Sequence, residues 1–163
     1  GRLPNSIRLA TYNTHRCEGW TQNSGTDRAN YNNTAKVISL MDPDVIALQE
    51  LDKNTTWHPT DQLQELADRT GMRPYYCKTK PIYLAGDFNT SEIPETALES
   101  WKIISTSANT FVNTASPSRI DYVLVYTGNS PHYELLGTAV PSYEEINVMT
   151  VSDHLPVLVD LKK

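Results

Sequence analysis

Two residues of the segment Gly86-Asp87-Phe88-Asn89 are the first to suggest chemistry. The run over residues 82–85 before them is short and apolar, as expected of a strand buried on both faces, and Gly86 ends it where polar residues begin. With the backbone extended through that junction, Asp87 and Asn89 project to the same side, because side chains in a strand alternate. A carboxylate and an amide facing one point suit a site that holds a water and a phosphoryl oxygen. The carboxylate accepts a proton or holds a cation, and the amide donates to an anion.

Further polar residues stand where apolar runs start or stop: Asn13, Glu50, Asp121, and the pair Asp153-His154. One acid at a strand end is ordinary, since charged side chains punctuate buried segments. A set of them is different in kind. Carboxylates gathered on one point repel one another unless a cation compensates them, and a hard, oxygen-liganded ion such as Mg²⁺ or Mn²⁺ fits such a set. An Asp behind a histidine holds the imidazole in one tautomer and stabilises its protonated form.

The elements that must hold these residues follow from patterning. Residues 7–12 read as a strand running into Asn13. Residues 19–33 form a polar loop that feeds a helix over 34–41, stopped by Asp42-Pro43 because proline cannot continue a helix and restrains the residue before it. A second apolar run, 45–48, is closed by Gln49-Glu50. After a loop over 51–59, Thr60 is the expected N-cap of a helix with Leu63, Leu66 and Ala67 on one face and Gly71 at its end. Residues 91–94 open a further helix with Ala97, Leu98 and Trp101 on its apolar face, and 105–118 read as an ordered surface loop. Strands are expected over 120–125, 148–151 and 157–161. Strands alternating with helices give an α/β fold, with antiparallel pairing in the last third, where helices are scarce.

Composition narrows the classes. The chain has 163 residues with 39% hydrophobic content, enough for one domain with a core over residues 1–163. No apolar run approaches the roughly 20 residues of a membrane helix. Fourteen Lys and Arg against nineteen Asp and Glu give a net charge of −5, which disfavours a broad basic surface for long nucleic acid; a small phosphorylated substrate fits better. No protein partner is evident. Gly1 is compatible with a removed leader, which would make the protein secreted or periplasmic, or with a cloning remnant, so the compartment stays open. Cys17 and Cys77 are too few for a disulfide framework and read as ordinary thiols. Sequons at Asn32, Asn54 and Asn89 read as chance.

Thr11-Tyr12-Asn13, Asp44-Val45-Ile46-Ala47-Leu48-Gln49-Glu50, Gly86-Asp87-Phe88-Asn89, Arg119-Ile120-Asp121-Tyr122 and Ser152-Asp153-His154-Leu155-Pro156 together resemble the endonuclease/exonuclease/phosphatase family. These metal-dependent phosphoesterases include deoxyribonuclease I-like nucleases and sphingomyelin and inositol-phosphate phosphodiesterases. The pieces occur in the family's order from one end of the chain to the other. The resemblance implies a two-sheet α/β sandwich of the deoxyribonuclease I-like type, and hydrolysis of a phosphodiester or phosphomonoester by attack of water at phosphorus. It implies Glu50 as the principal ligand of Mg²⁺ or Mn²⁺, with Asn13 beside it and Asp153 completing the acidic ring. Asp87 would orient or deprotonate the water and Asn89 would help hold the water or the phosphate. His154 would be the general base, or the imidazolium that steadies the pentacoordinate phosphorus, oriented by Asp121. Arg119 falls in a matching piece and joins the substrate-binding set, as does His15, two residues past Asn13.

The family's domain is longer. Between the helix ending near Gly71 and the strand entering Gly86-Asp87 it carries several more strands and a histidine-bearing motif, which here would have to fit between residues 73 and 80. Either these residues are the retained parts of a longer polypeptide, the favoured explanation, or the segment is deleted; as given the sandwich is expected to be incomplete, and a catalytically inactive phospho-ligand binding module on the same fold is the main alternative. A hydrolase with Cys17 or Ser152 as nucleophile and His154 as base ranks lower, since no Gly-x-Ser-x-Gly turn occurs. His58 and His132, next to prolines in loops, are expected to have no chemical role. Selectivity would come from 19–33 and 105–118, with Trp20 or Tyr31 available to stack on a base or sugar.

Overall fold

The computed structural model describes residues 2–19, 29–56, 58–74, 83–112, 114–127 and 133–162. Two sheets form the framework. In the first, β2 (Val45–Gln49), β1 (Ser6–Asn13), β7 (Val157–Lys162) and β6 (Leu135–Ala139) lie in that order; β1 and β2 are parallel and the other pairs antiparallel. In the second, β5 (Asp121–Tyr126) runs antiparallel between β3 (Tyr83–Asp87) and β4 (Trp101–Ile103).

Alternation of side chains explains the layers. From β5 and β7, Val123, Val125, Val157, Val159 and Leu161 pack with Leu9, Tyr83 and Ala85 between the sheets. On the other side of the first sheet, Ala10, Tyr12 and Leu158 meet Val37, Ile38 and Met41 of α1 (Tyr31–Met41) and Leu66 of α2 (Gln62–Thr70). The architecture is thus a helix layer over two facing sheets, the α/β sandwich expected. Inside it, the Arg8 guanidinium donates to both oxygens of Asp160, at 2.7 and 3.0 Å, and ties β1 to β7.

Helix ends follow local chemistry. Asn30 caps α1 by accepting from the Asn33 amide at 3.1 Å, so the helix begins at Tyr31, three residues before the expected start, and Asp42 ends it in the left-handed region at φ 49°. For α2 the cap is Asp61, accepting from Gln64, and not Thr60, whose hydroxyl instead bonds the Tyr31 hydroxyl at 2.8 Å. Gly71, at φ 72°, closes α2 as expected, because the C-cap needs a conformation that costs glycine little.

Four expectations are corrected. β3 is not buried on both faces: Leu84 is 39% exposed, since only its partner face looks into the sandwich and β3 pairs with β5 alone among the described residues. The helix expected from 91–94 is one 3₁₀ turn, Glu95–Leu98, and Trp101 begins β4, where its ring meets Tyr126 edge-on at 5.3 Å. Residues 148–151 form a 3₁₀ turn, not a strand, because the Asn147 side chain caps the Met149 amide. β6 was not anticipated: its five residues include Gly137 and a register shift, which blurs the alternation a strand should have. Ile82, Cys77, Trp20, His132 and most of the segment between α2 and β3 lie outside the described residues. No helix among the described residues is long and apolar enough to cross a membrane.

Candidate active site

Register brings the site together. The parallel pairing of β1 with β2 places Asn13 opposite Gln49, so Glu50 follows beside it. The antiparallel pairing of β3 with β5 places Asp87 directly opposite Asp121. The Ser152 hydroxyl donates to the Asn13 carbonyl at 2.7 Å and accepts the His154 amide at 3.1 Å, which brings the approach to β7 onto the end of β1.

His154 and Asp121 form the best-defined pair. The imidazole Nδ1 lies 2.8 Å from Asp121 Oδ2, with the two side chains 6% and 1% exposed. An ionised carboxylate only accepts, so Nδ1 carries the proton and Nε2 is the nitrogen turned to the remaining acids. Nε2 stands 3.9 Å from Asp87 Oδ2 and 3.5 Å from Asn13 Nδ2. The Phe111 ring packs against the imidazole at 5.0 Å between centroids. Burial pushes the His154 pKa down, but the hydrogen bond and charge of Asp121, followed by the charges of Asp153 and Asp87, outweigh it. The net result is a pKa raised above the usual 6.5.

Asn13, 1% exposed, joins two acids. Its Nδ2 donates to Glu50 Oε1 and to Asp87 Oδ2, each at 3.1 Å, while its Oδ1 accepts the His15 amide at 3.0 Å. The amide therefore turns its nitrogen, not its oxygen, to the carboxylates. That departs from the expected ligand role: Asn13 steadies Glu50 and Asp87 as their shared donor. Glu50 itself is exposed, in the left-handed region at φ 55°, and its carbonyl accepts the Arg16 amide.

The remaining candidates are placed unevenly. Asp153 is half-buried, with one carboxylate oxygen that has no hydrogen-bond partner among the described residues. Asn89 does not share a face with Asp87: it is exposed, adopts φ 53°, and its amide bonds back to Asp87 Oδ1 at 2.8 Å, so a side-chain-capped turn replaces the extended backbone assumed above. Arg119 stacks its guanidinium 4.6 Å over the Tyr122 ring and donates to the Thr106 carbonyl. The His15 ring contacts the Gly19 carbonyl at 3.3 Å. Neither therefore meets the acidic cluster through these contacts.

The donor set fits a cation. Asp87, Asp121 and His154 offer ligand atoms all within 4.8 Å of one another. Asp121 Oδ1 and Asp153 Oδ1 are buried without hydrogen-bond partners among the described residues, and hard oxygen donors without a proton to accept are what a divalent ion requires. The two side-chain nucleophiles considered above do not fit. The Cys17 thiol is buried in the core and pushed up to about 11 by burial, and the buried Ser152 hydroxyl is used on both sides by Asn13 and His154.

Two contributors went unrecognised in the sequence. Thr110, fully buried within the supposed surface loop, accepts the amides of Ile120 and Asp121. His58 bridges two acids, Nδ1 2.5 Å from Asp52 and Nε2 3.1 Å from Glu18, and so does have a structural role. No sequence pattern marks either, because each contact depends on how loops fold back, bringing Glu18 to His58 and the start of β5 to Thr110.

A family model described as the Endonuclease/Exonuclease/phosphatase family matches residues 10–154. No curated protein matches the chain. A crystal structure of an endonuclease/exonuclease/phosphatase from Beutenbergia cavernae DSM 12333 is similar in fold, with a TM-score of 0.66 at 15% identity, over 97% of this chain and 72% of that one.

Proposed function

Because the chain belongs to the endonuclease/exonuclease/phosphatase family, we propose that it hydrolyses a phosphodiester or phosphomonoester by attack of water at phosphorus, with a divalent cation, Mg²⁺ or Mn²⁺. The observation that carries this reading is the buried Asp121–His154 pair, whose Nε2 faces Asp87 across 3.9 Å. Asp121 holds the imidazole in one tautomer and, by its charge, keeps it protonated to higher pH. The Nε2–H of the imidazolium then donates to an oxygen of the phosphorane as negative charge builds there. Asp87 accepts a hydrogen bond from the attacking water and takes its proton as the new P–O bond forms, while the ester P–O bond opposite breaks and its alkoxide or phenoxide leaves, taking a proton from solvent. Asn13 keeps Asp87 and Glu50 side by side, so that either carboxylate is turned to the same small volume.

Glu50 and the unpartnered oxygens of Asp121 and Asp153 would hold the cation, with Asp87 beside it. When bound, it compensates the converging acids, polarises the phosphoryl oxygen and makes bound water more acidic. The acidic chain, at net −5, favours a small phosphorylated substrate over long nucleic acid.

The test is turnover of bis(4-nitrophenyl) phosphate and 4-nitrophenyl phosphate with Mg²⁺ or Mn²⁺, with and without chelator. Chelator-sensitive turnover that is lost in both Glu50→Ala and His154→Ala, each still folded, supports the reading; full activity in both variants overturns it. The interval over residues 73–80, too short for the family's further strands and histidine-bearing motif, favours a second reading, a binding module without catalysis. Metal-dependent turnover rejects that one.

A further inference from the structure

Thr110 sits where the two halves of the Asp121–His154 pair are joined to the fold. Its Oγ1 accepts the amide of Ile120 at 3.2 Å and of Asp121 at 3.1 Å, which fixes the start of β5. Its carbonyl accepts the Leu155 amide at 2.6 Å, one residue past His154. Its own amide donates to the Ser118 carbonyl at 3.0 Å. The next two residues continue the seam: Phe111 forms a backbone bridge to His154 and lays its ring on the imidazole at 5.0 Å, and the Val112 amide meets the Asp153 carbonyl at 3.4 Å.

These contacts have a common effect. Asp121 and His154 are 33 positions apart and lie on segments that do not pair with each other as strands. Their separation is set by whatever fixes both backbones to one body. Thr110 does so with a side-chain oxygen on one and a main-chain oxygen on the other, and it is fully buried, so water does not substitute for either bond.

We propose that Thr110 is a positioning residue for the Asp121–His154 pair, acting through Oγ1 on the backbone of Asp121. This rests on the phosphoesterase reading for its effect on turnover but not for its effect on the pair itself. Valine has nearly the same shape and no acceptor, so Thr110→Val leaves the buried Asp121 amide and the half-buried Ile120 amide unpaired and frees the start of β5 to shift. Serine keeps the oxygen.

Two measurements test it. With Mg²⁺ and bis(4-nitrophenyl) phosphate, Thr110→Val should lose about 10- to 100-fold in kcat with KM nearly unchanged, because a small misplacement of a reacting group acts on the transition state. Thr110→Ser should recover most of the loss. Val37→Ala, a core truncation in α1, should lower Tm comparably and leave kcat alone. Separately, without substrate or metal, the low-field proton resonance of His154 Nδ1–H should persist in wild type and Thr110→Ser and shift or broaden in Thr110→Val. If Thr110→Val does not fold, Thr110→Ala, which also lacks the acceptor, takes its place in both measurements.

Wild-type kcat together with an unchanged His154 resonance in Thr110→Val would overturn the proposal. So would a Thr110→Ser variant as impaired as Thr110→Val, or a Val37→Ala variant that loses kcat equally. If the wild type turns over no phosphoester, the phosphoesterase reading fails and the resonance alone decides the role of Thr110.

Discussion

Replacing Asp121 by Asn tests the charge on the buried pair more directly than any activity assay. Asp121→Asn keeps an acceptor 2.8 Å from His154 Nδ1, removes the negative charge and puts an NH2 group in place of the second oxygen, which has no partner among the described residues. The His154 pKa is raised in the folded protein, so the pairing contributes stability that is fully present below the unfolded histidine value of about 6.5 and is lost as pH rises through the higher folded value. At about pH 5.5 the variant therefore lacks a hydrogen bond between two charged groups, both nearly inaccessible, and should be about 2 to 3 kcal/mol less stable than wild type. At a pH above the folded value, where the imidazole is neutral, the same bond is of the ordinary kind and the difference should shrink to about 1 kcal/mol or less. In the variant burial persists without its main opposing charge, so the His154 pKa falls. Urea denaturation of both proteins at the two pH values, with chelator present and the m-value checked for constancy, measures the difference. A destabilisation of the same size at both pH values would refute the reasoning, since it would mean that no imidazolium is held against Asp121.

Other consequences follow from the same geometry. Adding Mg²⁺ should lower the His154 pKa, followed by NMR, because a cation beside Asp87 and Asp121 offsets the charges that raise it; a titration unmoved by millimolar Mg²⁺ counts against a cation at this cluster. Asn13→Asp exchanges the shared donor for a third carboxylate, so the metal-free protein should lose about 2 to 4 kcal/mol and regain more Tm on adding Mg²⁺ than wild type does. Equal Mg²⁺-induced shifts in the two proteins would contradict the placement of Asn13 between Glu50 and Asp87. His58→Leu removes the ring that separates Glu18 from Asp52 and should cost about 1 to 3 kcal/mol by thermal or urea denaturation. Because Glu18 adjoins the turn whose Arg16 amide holds the Glu50 carbonyl, His58→Leu should also raise the Mg²⁺ concentration needed for half-maximal turnover.

Much of the framework is local and was therefore legible in order along the chain. The runs ending at Asn13, Glu50 and Asp87 are short and apolar because their strands face a core, and proline after Asp42 and the glycine at 71 stop helices for reasons of backbone sterics alone. Local pattern misjudged residues 148–151, where valines are buried from a 3₁₀ turn instead of a strand, since a buried apolar side chain does not reveal the backbone that carries it. It also missed β6, whose pairing with β7 supplies what its own alternation lacks.

Sequence by itself determined which residue types stand at the strand ends, and hence that acids and one histidine were available to meet. Tertiary structure decided how they meet. Asn13 turns its nitrogen inward because the His15 amide takes its oxygen, Asn89 turns away because its backbone is left-handed, and Thr110 is buried where its hydroxyl meets the start of β5 and its carbonyl meets Leu155. Those side-chain turns are local, but what they face is not: Asn13 meets Glu50 and Asp87 at separations of 37 and 74 positions, and such partners arrive only once the sheets have packed.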